Sequence, residues 1–185
     1  MQKITLFTAD CRGNARNNSY PQKVEVTCAD DLAKAVRYDH VCATYADARE
    51  LKYGVERLVR CRRGNDTFIK ADCLPMDLDN DHSDNPQDWK TPDDVKAAFP
   101  GVMFYAVTSR NHMKPKTKGG KVLAPRPKYH LYFPIDEETD FMKYAAIKTE
   151  MHRRFPAFDD NALDAGRFLF GADSAEVITV DGDNA

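Results

Sequence analysis

Apolar and polar positions alternate through residues 3–9 (KITLFTA) and again through Lys23–Thr27, and this period of two predicts β-strands. Leu32, Ala35 and Val36 then follow at helical spacing, with Asp30 or Asp31 placed to cap the helix they predict. The short apolar run His40–Tyr45 predicts a strand, and Phe68-Ile69 leads into another, Cys73–Asp79, that ends in acid. Thr91 at the N-cap, Pro92 at N1 and Asp93-Asp94 in the first turn open a helix that Ala97, Ala98 and Phe99 close before Pro100-Gly101. Val102–Thr108 is a strongly apolar strand, and Tyr129–Ile135 alternates Tyr129, Leu131 and Phe133 against His130 and Tyr132. From Thr139 or Asp140 the longest helix begins, with Phe141, Tyr144, Ala145, Lys148, Met151, His152 and Phe155 on one stripe. Arg167–Gly171 and Val177–Val180 are short late strands. Strands and helices interleave irregularly, which predicts an α+β fold with a mixed or antiparallel sheet in a single domain over residues 1–185.

Between these elements lie three polar stretches. Asp10–Gln22 carries Arg12, Gly13, Asn14, Arg16, Asn17 and Asn18 and reads as solvated turn material, with a ligand role as the alternative. Ala46–Asn65 is rich in Arg49, Lys52, Arg57, Arg60, Arg62 and Arg63 and reads as a solvated face or loop. From Ser109 to His130 there are seven Lys or Arg and no acid, folded about Gly119-Gly120 as the connection between two strands. The chain as a whole has a formal net charge of -2, so this arm is a local cationic surface, suited to phosphates, on a protein with no global pull toward nucleic acid.

The composition, 42% hydrophobic and 30% charged, is that of a soluble globular protein, with no apolar run of membrane-spanning length and no signal pattern. Cys11, Cys28, Cys42, Cys61 and Cys73 are odd in number and lack a C-x-x-C, which favours reduced thiols in a cytosolic setting over a zinc knuckle. The polar end Asp181–Ala185 reads as a domain cut from a longer polypeptide.

The chemistry concentrates where the strand Cys73–Asp79 ends. Residues two apart on a strand share a face, so Asp77 and Asp79 would stand side by side. Like charges that close repel unless a cation lies between them, and hard carboxylate oxygens select Mg²⁺ or Mn²⁺. Lys128 and His130 share a face of their own strand in the same way. Were the two strands neighbours, one face would carry two carboxylates, a His and a Lys, an arrangement that suits a metal-bound triphosphate.

Three pieces stand in order: Asp77-Leu78-Asp79, then Lys128-Tyr129-His130, then Phe158-Asp159 followed by Asp164-Ala165-Gly166-Arg167. This order resembles the archaeo-eukaryotic primase superfamily of primase-polymerases, whose motifs are a D-x-D or D-x-E metal pair, a small residue-x-His that contacts nucleotide phosphates, and a hydrophobic residue before a metal-binding Asp. Ser109-Arg110-Asn111-His112-Met113-Lys114 and the run from Asp79 to Asp84 are similar to the phage-type branch fused to helicases. The resemblance covers roughly residues 66–173. Lys128 stands where the family has Ser or Thr, and Asp159, Asp160 and Asp164 compete for the third motif; Asp159 is the choice for metal, with Asp164 orienting Arg167.

The resemblance implies an RRM-like central sheet flanked by helices. It also implies a DNA primase-polymerase that joins dNTPs or NTPs on a single-stranded DNA template by two-metal phosphoryl transfer. Asp77, Asp79 and Asp159 would hold two Mg²⁺ or Mn²⁺ ions. His130, Lys128, Ser109, Arg110, His112, Asp164 and Arg167 would form the nucleotide site, and the 113–126 and 49–63 segments would hold template or primer. A fused or associated replicative helicase, phage or mobile-element origin and a bacterial cytoplasm follow from the same likeness. Three rivals compete. One is a calcium loop through Asp77, Asp79, Asp81, Ser83, Asn85 and Asp88, which has His82 where Gly is needed. Another is a D-x-D phosphatase, which needs a parallel α/β pattern, and the third is a DNA-binding module without catalysis.

Overall fold

The computed structural model describes residues 2–182, with backbone alone at Lys118 and Lys121. The side chains of those two lysines and residues 183–185 of the polar end lie outside the described residues. In chain order the elements are β1 (Ile4–Thr8), β2 (Gln22–Val26), α1 (Ala29–Ala35), β3 (His40–Val41), β4 (Thr44–Tyr45), β5 (Ala48–Lys52), β6 (Val55–Val59) and β7 (Phe68–Leu78). There follow α2 (Pro92–Ala98), β8 (Phe104–Thr108), β9 (Lys116–Lys118), β10 (Lys121–Leu123), β11 (Tyr129–Glu138), α3 (Phe141–Arg154), β12 (Phe168–Leu169) and β13 (Val177–Val180).

A five-stranded sheet, ordered β13-β8-β11-β7-β4, carries the molecule, and a four-stranded sheet, β12-β3-β1-β2, packs beside it. Every strand pairing among the described residues is antiparallel, so the fold is α+β and the mixed-sheet alternative falls away. The same finding removes the parallel scaffold that a D-x-D phosphatase needs. Strand β11 lies between β7 and β8, so the β7-α2-β8 crossover is a split β-α-β unit.

The period-two alternation explains the layers. Leu74, Met76, Leu78, Leu131, Phe133 and Phe104 point to one face, where Val95 and Phe99 of α2 and Tyr144 of α3 close the larger core. Cys73, Tyr132, Tyr105 and Val107 point to the other, against Ile4, Leu6 and Leu32. Phe133 sits at the centre of the first face, its ring 5.0 Å from Phe104 and 6.0 Å from Phe99. Phe133→Ala would cost about 3–5 kcal/mol on the usual scale for a buried aromatic. Two polar ties bind the sheets: Thr5 donates its N–H and hydroxyl to Asp72, and Tyr132 Oη lies 2.7 Å from His40 Nε2. Burial holds the His40 imidazole down at about 4, so it is neutral in the core.

Several local expectations change. Helix α1 is capped from Cys28, while Asp31 accepts hydrogen bonds from the N–H and hydroxyl of Thr27. His40–Tyr45 is two short strands in different sheets, with Cys42 and Ala43 turning between them. The Arg-rich 46–65 segment forms the β5–β6 hairpin, closed at Tyr53 (φ 52°) and Gly54 (φ 77°). Two consecutive positive φ values give the two-residue turn that matches strand twist, and Gly is the residue that adopts one readily. Its ladder is laced by Arg49–Glu56 and Arg57–Glu50 ion pairs in place of an apolar face. The Arg167–Gly171 strand shortens to Phe168–Leu169. On the α3 stripe, Tyr144 and Lys148 are buried but Phe141 is exposed. No helix among the described residues is long and apolar enough to cross a membrane.

Candidate active site

The register of β7 against β11 sets Asp77 opposite His130 at the end of the long strand pair. Both lie on the face shared with Cys73 and Tyr132, turned toward the N-terminal sheet. His130 Nε2 stands 3.6 Å from Asp77 Oδ1. Asp77 Oδ2 is held by the Arg167 guanidinium, which enters from the residue before β12. Asp77 Oδ1 is buried and has no hydrogen-bond partner among the described residues. Removal from water pushes the His130 imidazole below its ordinary value; Asp77 and Asp79 oppose that shift, and Arg167 and Arg110 add to it.

Asp159 is brought to the same strand end by the backbone. Its N–H donates to the Asp77 carbonyl at 2.9 Å, and the preceding Phe158 is buried against Phe155 and Phe99. Its carboxylate accepts from the N–H of Asn161 at 3.0 Å, so the side chain starts the short 3-10 turn Asp160–Ala162. The strand stops at Leu78, so Asp79 lies one residue past the ladder, yet it lines a cleft of about 610 Å³ together with Asp81, Lys116, His152, Asp159 and Asp160. Asp79 and Asp159 thus line one cleft, and Asp77 joins Asp159 through its carbonyl while its buried carboxylate turns to His130 and Arg167.

The turn after Asp79 is built by cations from the basic arm. Lys128 is buried and its Nζ bonds the Asp79 carbonyl at 2.8 Å and Asp81 Oδ1 at 2.7 Å. Lys116 pairs with Asp81 Oδ2 at 2.9 Å. Burial alone would raise the Asp81 carboxyl, but hydrogen bonds from Lys128 and Lys116 hold it down at about 2. Arg126, also buried, donates to the carbonyls of Asn80 and Ser83 and to Asp84. Asn80, at φ 54°, donates its amide to the carbonyls of Lys90 and Pro127. Protein cations therefore fill the middle of the loop that a calcium ion would occupy, and a strand leads into it, so the calcium-loop reading fails. The cationic surface expected from the arm is correspondingly smaller: Lys116, Arg126 and Lys128 face inward.

A second cleft, about 450 Å³, opens where β8 ends and is lined by Arg12, Gly13, Ser109, Arg110, His112 and Lys114, with Asp173 as its carboxylate. Arg110 stacks its guanidinium 3.7 Å from the Phe170 ring centroid. Gly13 comes so near that a Cβ there would lie 3.0 Å from Arg110 Nη1, at a φ of 70° that also favours glycine. The cleft's two glycine loops hang on one buried carboxylate: Asp39 accepts from the N–H groups of Gly13, Asn14 and Gly171 at 2.8–2.9 Å. His112 Nδ1 lies 3.0 Å from the Lys128 carbonyl. Lys148 is buried beneath the Arg167 loop, its Nζ bonded to the Asp164 carbonyl at 3.0 Å; burial pulls its ammonium down to about 8.

Of the nucleotide residues expected from sequence, Ser109, Arg110 and His112 share the second cleft, and His130 feels the charge of Arg110. Lys128 is turned to the acidic turn instead, and Arg167 is oriented by Asp77, while Asp164 is exposed and offers its carbonyl to Lys148. His40 was legible only as the start of a short apolar run and Asp39 not at all, because the partners that give them meaning are far away in the chain.

For a metal, the donors are hard oxygens, and the orphaned Asp77 Oδ1 is an acceptor without a partner, which fits Mg²⁺ or Mn²⁺. Arg167 at Asp77 and Lys128 3.4 Å from Asp79 Oδ2 mark how strongly the carboxylates draw positive charge. No three His, Cys, Asp or Glu groups among the described residues form a ready-made metal cage. The chain is an antiparallel α+β protein in which Asp77 and His130 form a largely buried acid–imidazole pair. Against known proteins, no family model, curated protein or solved structure matches the chain.

Proposed function

We propose that the chain is a template-dependent nucleotidyltransferase, a DNA primase-polymerase with an RRM-like catalytic sheet, that joins dNTPs or NTPs on single-stranded DNA. The observation that carries the reading is the Asp77–His130 cross-strand pair, with Asp159, on the wall of the acidic cleft, fastened to the Asp77 carbonyl. Asp77, Asp79 and Asp159 would hold Mg²⁺ or Mn²⁺, which supplies Lewis-acid neutralisation of phosphate charge.

The chain's own residues do the positioning. Arg167 fixes Asp77 by Oδ2 and leaves Oδ1 directed at His130. A neutral His130 can donate a hydrogen bond to a phosphate oxygen without adding a second fixed charge beside Arg110. Arg110 and Lys114, with no carboxylate partner among the described residues, are the free cations for a triphosphate tail. Phe158 and the Asp159–Asp77 backbone bond keep the third carboxylate on the cleft wall. Little covalent work falls to the protein, and orientation and charge carry the rate.

The test is incorporation of radiolabelled dNTP or NTP on a single-stranded template, with and without primer, in Mn²⁺ and in Mg²⁺. Chain products that vanish with chelator support the reading. Simple phosphate release from monoesters without chain growth, or no metal-dependent product at all, contradicts it.

A further inference from the structure

A third cavity lies away from the acid–imidazole site, between the Asn14–Ser19 loop and the β5–β6 hairpin, and has a volume of about 430 Å³. Its charged lining is Arg16, Lys52 and Arg57, and its remaining polar lining is amide and hydroxyl, with no carboxylate. The sequence places six Arg or Lys between residues 46 and 65, but most are engaged within the fold. Arg49 pairs with Glu56, Arg60 with Asp47 and Arg62 with Asp66, while Arg63 donates to the Gly166 carbonyl and packs on Phe168. Lys52 has no acid partner among the described residues, and Arg57 is only loosely paired, 3.6 Å from Glu50. Arg16 likewise has none, although it belongs to the other wall.

The walls are fixed relative to one another. Tyr20 N–H and Ser19 Oγ both donate to the Arg60 carbonyl, and Arg63 N–H donates to the Asn18 carbonyl. Asn18 also donates its side-chain amide to Glu50 at 2.8 Å. At the hairpin tip Tyr53 is 94% exposed, with Leu51 and Val55 exposed beside it and Lys52 Nζ 5.7 Å from its ring. Asn14 lines this groove and its neighbour Gly13 lines the cleft of Arg110, so one loop borders both.

A row of cations that ends in an exposed ring, with Glu50 near Arg57 alone among its three cations, suits a single-stranded nucleic acid: backbone phosphates on the cations, a base on the aromatic face. We propose that this groove carries single-stranded nucleic acid toward the Arg110 cleft, with Arg16, Lys52 and Arg57 on the phosphates and Tyr53 stacked on a base. Resting on the nucleotidyltransferase reading only for its direction, the inference concerns binding and needs neither metal nor nucleotide.

The experiment is fluorescence anisotropy of an end-labelled single-stranded DNA oligonucleotide over a salt series, in chelator and without nucleotide. Wild type is compared with R16Q/K52Q/R57Q and with Y53A. The triple variant should bind at least about tenfold more weakly at low salt, with the log-affinity against log-salt slope reduced by about 2, as expected for three lost contacts to a single strand. Tyr53→Ala should weaken binding about fivefold and leave the slope unchanged. All four changed residues are exposed or at the groove wall, and thermal melting of each variant at the wild-type temperature separates lost contacts from lost fold. Folded variants that bind the oligonucleotide as wild type does overturn the inference, including the outcome that the hairpin binds another protein. Groove-dependent binding by an enzyme that incorporates nothing would leave this inference standing and remove the proposed activity. Incorporation with groove-independent binding would do the reverse.

Discussion

The two clefts beside the Asp77–His130 pair differ in who holds their charges. In the acidic cleft the carboxylates are already served from within: Lys128 and Lys116 grip Asp81, Lys128 approaches Asp79, and Arg126 fastens the turn beyond. In the cationic cleft Arg110 and Lys114 have no carboxylate partner among the described residues, and Arg12 meets the exposed Asp173 and the Tyr38 ring. One basic arm therefore does two jobs. Its buried Arg126 and Lys128, with the part-exposed Lys116, build an acidic wall, and Arg110 and Lys114 leave positive charge open to anions. Charge counted along the sequence does not separate these jobs; contacts do, and for Arg126 and Lys128 a cation removed from water must find a partner.

The largest effect that tests this contrast is on the acidic side. Asp77→Asn with Asp79→Asn should lower incorporation by about 10³-fold or more, since metal-held phosphate charge represents several kcal/mol of the barrier. Circular dichroism should show the fold kept. Next comes the scaffold. Arg126→Ala removes a buried guanidinium from the carbonyls of Asn80 and Ser83 and from Asp84. A stability loss of about 3 kcal/mol in urea unfolding is the expected result. If Arg126 were merely part of an open cationic surface, the loss would be near zero.

Lys148 gives the third test. Its folded-state value of about 8 lies below the ordinary 10.5, so between those values the unfolded chain binds a proton that the folded chain does not. Stability from this group therefore rises with pH from about 8 to about 10.5 and is flat below 8, by up to ~3 kcal/mol in all. Subtracting the pH profile of Lys148→Met from that of wild type should isolate that rise. The smallest effect is on the cationic side. Arg110→Ala should raise the nucleotide KM about 10–100-fold, the range for one charge-assisted contact, with a smaller change in kcat. A fall in kcat at constant KM would move Arg110 out of ground-state binding.

Much of the frame was legible in the residues. The alternations of β1, β2 and β11, the apolar run of β8 and the Thr91-Pro92 and Asp140 helix starts stand close to where their patterns put them. The β5–β6 hairpin was not, because its strands mix charged with exposed apolar residues without a period of two and only Tyr53-Gly54 hints at the turn. The site was legible as a set of residue types and opaque as a set of contacts. Nothing local tells that Asp77 faces His130, since strand register is fixed by two distant apolar faces. Nor does local pattern reveal that Lys128 turns to Asp81 in the acidic turn or that Arg167 answers to Asp77 and not to Asp164.

The central claim is that both clefts serve one ligand, a metal-bound triphosphate lying across Asp77 and His130. The direct measurement is Mn²⁺ binding, followed by electron paramagnetic resonance, with and without a dNTP, in wild type and in Arg110→Ala. The account predicts that the dNTP tightens Mn²⁺ binding about tenfold or more in wild type and that most of this coupling disappears in Arg110→Ala. An Mn²⁺ affinity indifferent to the nucleotide, or a coupling untouched by the loss of Arg110, would contradict it.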